Sequence, residues 1–140
     1  MKRYIRASRY FDIKMENAFS DFIHSLRIIV SRKCNTDTMR FKIDGVPFYE
    51  DGYTDFDMSF YGIEDFRDGS RSRITDTIGD LFVTILGESA LDSPDSDELR
   101  CAASENEDGS RPFATSRTLD ELVQPCADYI IRKIQSSGLI

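Results

Sequence analysis

The chain of 140 residues lacks tryptophan and has one histidine, four prolines and three cysteines. A single histidine cannot build a histidine-based metal site, and three cysteines without regular spacing argue against a disulfide framework. No apolar run approaches the roughly 18 residues that a membrane-spanning helix needs, so we expect no membrane partner. The sequence begins without a secretory signal, and we therefore expect reduced thiols and a cytoplasmic location.

Catalytic signatures are missing as well. The sequence contains no phosphate-binding loop, no glycine-rich nucleotide motif, no serine nucleophile elbow and no Cys-x-x-Cys pair. His24 and Cys34 are too far apart along one predicted helix to form a nucleophile and its base. We therefore predict a protein that is not an enzyme, with no catalytic residue and no cofactor.

What the chain has in excess is acid. It holds 25 Asp and Glu residues against 18 Lys and Arg residues, a formal net charge of −7. Residues 44–68 alone hold eight acids, one arginine and seven aromatic residues. Because neutralisation of phosphates by Lys and Arg dominates DNA affinity, this charge argues against direct binding to nucleic acid. A concentrated acidic surface instead favours a basic protein partner.

The acidic stretch predicts three strands. Residues 39–43 alternate between apolar and basic side chains, which is the period of a half-buried strand. The dipeptide Asp44-Gly45 predicts a first hairpin turn. For the second turn we predict a three-residue loop over residues 50–52, because a two-residue turn would place Asp55 beside Phe48 on the buried face.

This register divides the side chains between two faces of the predicted sheet. The predicted buried face holds Phe41, Ile43, Val46, Phe48, Phe56, Met58 and Phe60. The predicted outer face holds Arg40, Lys42, Tyr49, Tyr53, Asp55, Asp57, Ser59 and Tyr61. The outer face therefore combines carboxylates with exposed aromatic rings.

Apolar residues at helical spacing predict helices over residues 15–33, about 72–86 and 118–135. Thr118 and Glu121 match a capping box at the start of the third helix. The predicted fold class is α+β: a helix, a three-stranded antiparallel meander, and two helices packed on one sheet face. Residues 1–140 fit a single domain.

Two segments fall outside these elements. Residues 1–14 are basic, and we expect an edge strand or an ordered tail rather than an arm that binds RNA or lipid. Residues 88–117 are acidic with little to bury, and we expect a mobile acidic excursion with one helical turn near residues 97–103.

Asp55-x-Asp57 is the sharpest candidate for a metal site. Alternate residues of a strand point the same way, so both carboxylates could contact one divalent ion, with Glu50 and Asp51 supplying further oxygens. The alternative is an acidic strand surface that is solvated. We favour the solvated surface and predict no bound metal.

In element order, size and acidic sheet, residues 15–87 resemble some of the small phage-encoded anti-CRISPR proteins. That family contains helix, three-strand, helix domains whose acidic side chains mimic DNA and block a CRISPR nuclease. The resemblance is architectural and involves no shared motif. It implies a set of phosphate-like carboxylates: Glu50, Asp51, Asp55, Asp57, Glu64 and Asp65.

The leading hypothesis is a non-enzymatic inhibitor or regulator that docks on a basic nucleic-acid-binding protein, with a CRISPR effector nuclease as the partner that the resemblance implies. The predicted partner-binding residues are Glu50, Asp51, Tyr53, Asp55, Asp57, Tyr61, Glu64 and Asp65. Two alternatives stay open. One is a self-association module, so that the chain is a monomer or a homodimer, and the other is a metal-dependent enzyme using Asp55 and Asp57.

Overall fold

A layer of antiparallel strands and a layer of helices build the fold. The computed structural model describes residues 2–50, 52–65, 71–87, 90–91 and 98–140, with side chains described from Ile13 onward. The elements are α1 (Lys2–Cys34), β1 (Met39–Glu50), β2 (Tyr53–Asp65), β3 (Ser72–Ile74), β4 (Gly79–Ile85), β5 (Cys101–Ser104), β6 (Ala114–Ser116), a 3₁₀ turn (Asp120–Leu122) and α2 (Val123–Ser136). The predicted α+β class is confirmed, although the described residues form a sheet of six strands rather than three.

The sheet is antiparallel throughout, in the order β1-β2-β4-β5-β6, with β3 paired to the end of β2. Both helices pack on one face of it, and their apolar side chains join those of the strands in one core. Phe56 and Phe60 of β2 lie at its centre, fully buried. No helix in the described part of the chain is both long and apolar enough to cross a membrane.

The predicted hairpin turn at Asp44-Gly45 is wrong, because β1 runs through both residues and pairs with β2 along its full length. Gly45 lies opposite Met58. A Cβ atom at Gly45 would come within 2.5 Å of both the Asp57 carbonyl oxygen and Met58 Cγ. This glycine is therefore needed for the close approach of the partner strand, and it does not form a turn.

The chain instead reverses between Glu50 and Tyr53, which pair directly. The predicted three-residue loop is wrong, and the turn has two residues, of which Gly52 has φ +86° and Asp51 lies outside the described residues. The register that we rejected is thus the one adopted. It does place Phe48 opposite Asp55, but both lie on the outer face. Because β1 continues through residues 44–45, Phe48 stays on the same side of the strand as Arg40 and is not buried.

The predicted second helix over residues 72–86 is also wrong, since these residues form β3 and β4. Leu81, Val83 and Ile85 alternate with less buried residues and are themselves fully buried, which is a strand period within a segment rich in β-branched residues. The gap between the two strands is bridged by Thr75, whose Oγ1 accepts a hydrogen bond from the Gly62 backbone N–H at 2.8 Å.

The two remaining segments differ from expectation. Residues 2–14 are the first turns of α1, not an edge strand. Within 88–117, the strands β5 and β6 extend the sheet. The helical turn expected near residues 97–103 is therefore wrong for residues 101–103, which belong to β5. Residues 88–89 and 92–97 of the expected excursion lie outside the described residues.

The predicted third helix is present as α2 with a later start. Pro125 lies in its first turn, where the missing N–H removes no intrahelical hydrogen bond. Thr118 and Glu121 do interact, through a 3.0 Å hydrogen bond between their side chains. Tyr129 ties α2 to the sheet, because its hydroxyl donates to the Asp80 carbonyl oxygen at 2.8 Å.

Strand β1 forms one edge of the sheet, and its free side is partly occupied. The Phe41 backbone N–H donates to Asn35 Oδ1 at 2.8 Å, and Arg27 Nε donates to the Ile43 carbonyl oxygen at 2.9 Å. Backbone groups of a strand alternate in direction, so the Pro47 nitrogen also points to this free side, where it has no hydrogen to donate.

The close approach at Gly45 generates a stability prediction. We expect Gly45→Ala to lower the free energy of unfolding by about 1–3 kcal/mol, because the added Cβ meets backbone as well as a side chain. Chemical denaturation measures this change. Lys42→Ala, an exposed change on the same strand, is the control and should stay within about 0.5 kcal/mol of the wild type. Equal stability of the Gly45 variant and the control would contradict the continuous strand.

Candidate partner-binding face

The sheet face opposite the helices carries the candidate site, and we call it the outer face. Cross-strand partners share a face, so the register assigns its members on the three longest strands. They are Arg40, Lys42, Asp44, Val46, Phe48 and Glu50 on β1, Tyr53, Asp55, Asp57, Ser59, Tyr61, Ile63 and Asp65 on β2, and Asp80, Phe82 and Thr84 on β4. Six of these residues are acidic and two are basic, a formal net charge of −4 (2 − 6).

Apolar side chains lie among the acids. Val46 is 51% exposed and Phe48 is 48% exposed. Val46 pairs with Asp57 and Phe48 with Asp55, while Asp57 has Phe82 as its partner on its other side. The hairpin half of the outer face therefore combines exposed apolar side chains with three carboxylates, those of Glu50, Asp55 and Asp57. Exposed apolar groups that lie together with charge are typical of interaction sites.

The two central carboxylates differ in their partners. Asp55 Oδ1 accepts a 2.8 Å hydrogen bond from Thr84 Oγ1, which orients that side chain. The pKa of Asp57 is raised above its ordinary value, first by partial burial and then by the negative charges of Asp55 and Glu107. Glu107 comes from the β5–β6 loop, so a further carboxylate reaches Asp57 from outside the hairpin.

Positive charge is placed at the other half of the outer face. Arg40 forms an ion pair with Asp65, with a nitrogen–oxygen distance of 2.9 Å. Asp44 accepts a 2.6 Å hydrogen bond from the Tyr61 hydroxyl and lies 3.5 Å from an Arg27 nitrogen. That hydrogen bond is the main reason that the pKa of Tyr61 is raised. The acids of this half are thus matched within the protein, whereas Asp55 and Asp57 lie farther along the strand.

A cleft adjoins the outer face at β4. Its volume is about 790 Å³ and it is lined by Asp80, Phe82, Glu105, Asn106, Glu107, Asp108, Ser110 and Arg111. Hydrogen bonds from Ser110 lower the pKa of Asp108. Glu105 forms an ion pair with Lys133 of α2 at 3.3 Å, which anchors the start of the loop. The β5–β6 loop therefore extends the acidic surface beyond the hairpin.

The structure brings together six of the eight residues predicted to bind a partner. Those on the outer face are Glu50, Tyr53, Asp55, Asp57, Tyr61 and Asp65. Glu64 is on the opposite face, paired with buried Met39, and lines a separate cavity with Lys133. Asp51 lies outside the described residues. Within the described residues, no three His, Cys, Asp or Glu side chains are placed to hold a metal ion together.

Sequence reasoning missed Val46, Phe48, Phe82 and Glu107 on this surface, and it put Tyr49 on the wrong face. A signal for two of them was present. If the alternation of residues 39–43 is simply continued, Val46 and Phe48 fall on the outer side with Arg40. No comparable signal exists for Glu107, because its place depends on how the β5–β6 loop folds over the sheet.

The raised pKa of Asp57 gives a pH-dependent prediction. Because the pKa of Asp57 is higher in the folded than in the unfolded state, protonated Asp57 favours the folded state. This contribution to stability is fully present below the unfolded pKa and is lost as the pH rises through the folded pKa. We therefore expect Asp57→Asn to raise the melting temperature at neutral pH and to have no such benefit below about pH 3. Asp76→Asn, an exposed change away from the outer face, is the control. A gain at Asp57 that persists unchanged in acid would contradict this assignment.

Comparisons with known proteins add no constraint on the site. No family model matches the chain, and no curated protein or solved structure matches it significantly. The resemblance to anti-CRISPR proteins in element order and charge therefore stays a prediction, and what bears on function is the surface itself.

Proposed function

We propose that the protein is a non-enzymatic binding protein whose outer face docks on a basic, nucleic-acid-binding protein and inhibits or regulates it. The observation that supports this most is the pairing of Val46 with Asp57 and of Phe48 with Asp55 on the outer face, where Val46 and Phe48 are about half exposed. An apolar centre with charges at its side is the arrangement of a protein interface, whereas a purely solvated surface needs no exposed phenylalanine.

The charges of the free protein favour such a partner. Partial burial and two neighbouring carboxylates make the charged form of Asp57 costly. An arginine or lysine placed against Asp55 and Asp57 would reverse that cost. Charge complementarity of this kind increases the association rate and the specificity, while the apolar residues supply contact area.

The partner class follows from the same acids. Asp55 and Asp57 are alternate residues of β2, which places two negative charges about 6.7 Å apart along the strand. A groove that binds a phosphate backbone through Lys and Arg offers complementary charge. In this proposal the outer face occupies the groove and excludes nucleic acid from it. A CRISPR effector nuclease is the specific partner implied by the resemblance in architecture.

Charge reversal tests the electrostatic part of the proposal. We expect Asp55→Lys combined with Asp57→Lys to weaken partner binding by about a hundredfold or more, because like charges would then face each other. The measurement is retention of DNA-binding proteins from a bacterial lysate at low salt, with release by salt, competition by DNA and identification by mass spectrometry.

The matched control for this test is Asp37→Lys combined with Asp76→Lys, which changes the net charge equally at exposed positions off the outer face. Circular dichroism verifies that both variants are folded. Normal binding by the Asp55/Asp57 variant would show that the outer face is not the docking site.

An uncharged double substitution tests whether the contact is more than electrostatic. We expect Val46→Ser combined with Phe48→Ser to weaken binding about tenfold or more while the salt dependence of binding stays the same, since every charge is kept. Titration of the purified partner measures both quantities. Unchanged affinity would mean that the partner contacts only the acids and that these exposed side chains have another role.

A further inference from the structure

The helix layer carries a groove whose character is complementary to that of the outer face. It lies between α1 and α2 and has a volume of about 660 Å³. Ile29 of α1 and Ile131 of α2 contribute apolar surface, and Arg32, Lys33 and Arg132 contribute positive charge. Asp128 is the carboxylate that lines it, which leaves a formal net charge of +2 (3 − 1) on a protein whose total is −7.

The groove opens on the surface opposite the outer face. On α2 it is lined at residues 124, 128, 131, 132 and 135, which share one side of a helix. The buried residues Cys126, Ile130 and Ile134 lie on the other side and point to the sheet. One molecule thus presents an acidic surface on its sheet side and a basic groove on its helix side.

The basic groups of this groove are not neutralised within the described part of the chain. None of the residues Arg32, Lys33 and Arg132 forms an ion pair with a described residue. Arg32 and Lys33 lie in the last turn of α1, where cations suit the negative end of the helix dipole. Asp128 already accepts a 2.9 Å hydrogen bond from Gln124.

We propose that the occupant of this groove is the outer face of a second copy of the chain. Val46 and Phe48 of one copy would cover Ile29 and Ile131 of the next. Asp55 and Asp57 would then face Arg32 and Arg132. Both surfaces combine apolar side chains with charge, and their charges are of opposite sign. A contact between two different surfaces of identical chains is head-to-tail, and it builds a ring or an open chain.

This inference extends the proposed function and does not depend on it. If it holds, one copy covers the surface that another protein would use, so self-association competes with partner binding. Because the contact combines screened surface charges with a modest apolar area, it should be weak and salt-sensitive. Self-association would then cover the outer face at high protein concentration, and dissociation on dilution would expose it.

Sedimentation and light scattering over a range of protein concentrations test the contact. We expect the average mass of the wild type to rise with concentration in low salt, and the association constant to fall about tenfold or more between roughly 0.02 and 0.3 M salt. The face variant (Asp55→Lys with Asp57→Lys) and the groove variant (Arg32→Glu with Arg132→Glu) should each stay monomeric, because the residues that would face each other across the contact then have charges of the same sign.

Mixing the two variants supplies the decisive result. The substituted outer face of the face variant then meets the substituted groove of the groove variant, and both have reversed charges. The unchanged groove of the first and the unchanged outer face of the second keep their native charges, so the mixture should associate although neither component does alone. Arg71→Glu with Arg73→Glu is the control, since it changes the net charge as the groove variant does at exposed positions outside the groove. It should associate like the wild type.

Other outcomes overturn the inference. A wild type that is monomeric at every concentration removes the contact altogether, and association that persists in the groove variant moves it to another surface. Neither result affects the proposed function, because the groove variant keeps its acidic outer face and should still bind a basic partner. Loss of partner binding in the Asp55/Asp57 variant is likewise independent of whether copies associate.

Discussion

The register of the β1–β2 hairpin determines which side chains enter the core and which remain on the surface. All 12 residues of β1 pair with β2, and the pairing is in phase because Gly45 leaves room for Met58 and the Asp57 backbone. A shift by one residue would turn Phe56 and Phe60 to solvent and Asp55 and Asp57 to the helices. The β1–β2 register therefore determines both the composition of the core and that of the candidate docking surface.

Packing of both helices on a single sheet face distributes charge as well as apolar surface. Apolar side chains of the inner face are buried with those of α1 and α2, whereas Val46 and Phe48 are exposed among acidic residues of the outer face. The outward sides of the helices are free to carry Arg32, Lys33 and Arg132. A strongly acidic chain thus obtains two surfaces of opposite charge, and both proposed interactions follow from this separation.

The class of the fold and most of the β2 part of the outer face were accessible from sequence, because local period and charge determine them. The alternation after Met39 and the apolar stripe of α1 each predicted the right element. The errors came from signals that have two meanings. Asp44-Gly45 is a common turn dipeptide, but here tertiary pairing uses the glycine for close approach, and the apolar residues of 74–86 fit a helical period as well as a strand period. Where β5 and β6 join the sheet depends on long-range pairing that no local pattern shows.

The partly occupied edge of β1 works against fibril formation at that strand. Asn35 and Arg27 occupy backbone groups on that edge, and Pro47 cannot donate from it. A twelve-residue edge strand next to exposed valine and phenylalanine would otherwise be a template for cross-β growth. With this edge obstructed, the sheet cannot readily be extended at β1, and the apolar residues of the outer face remain available for reversible contacts through side chains.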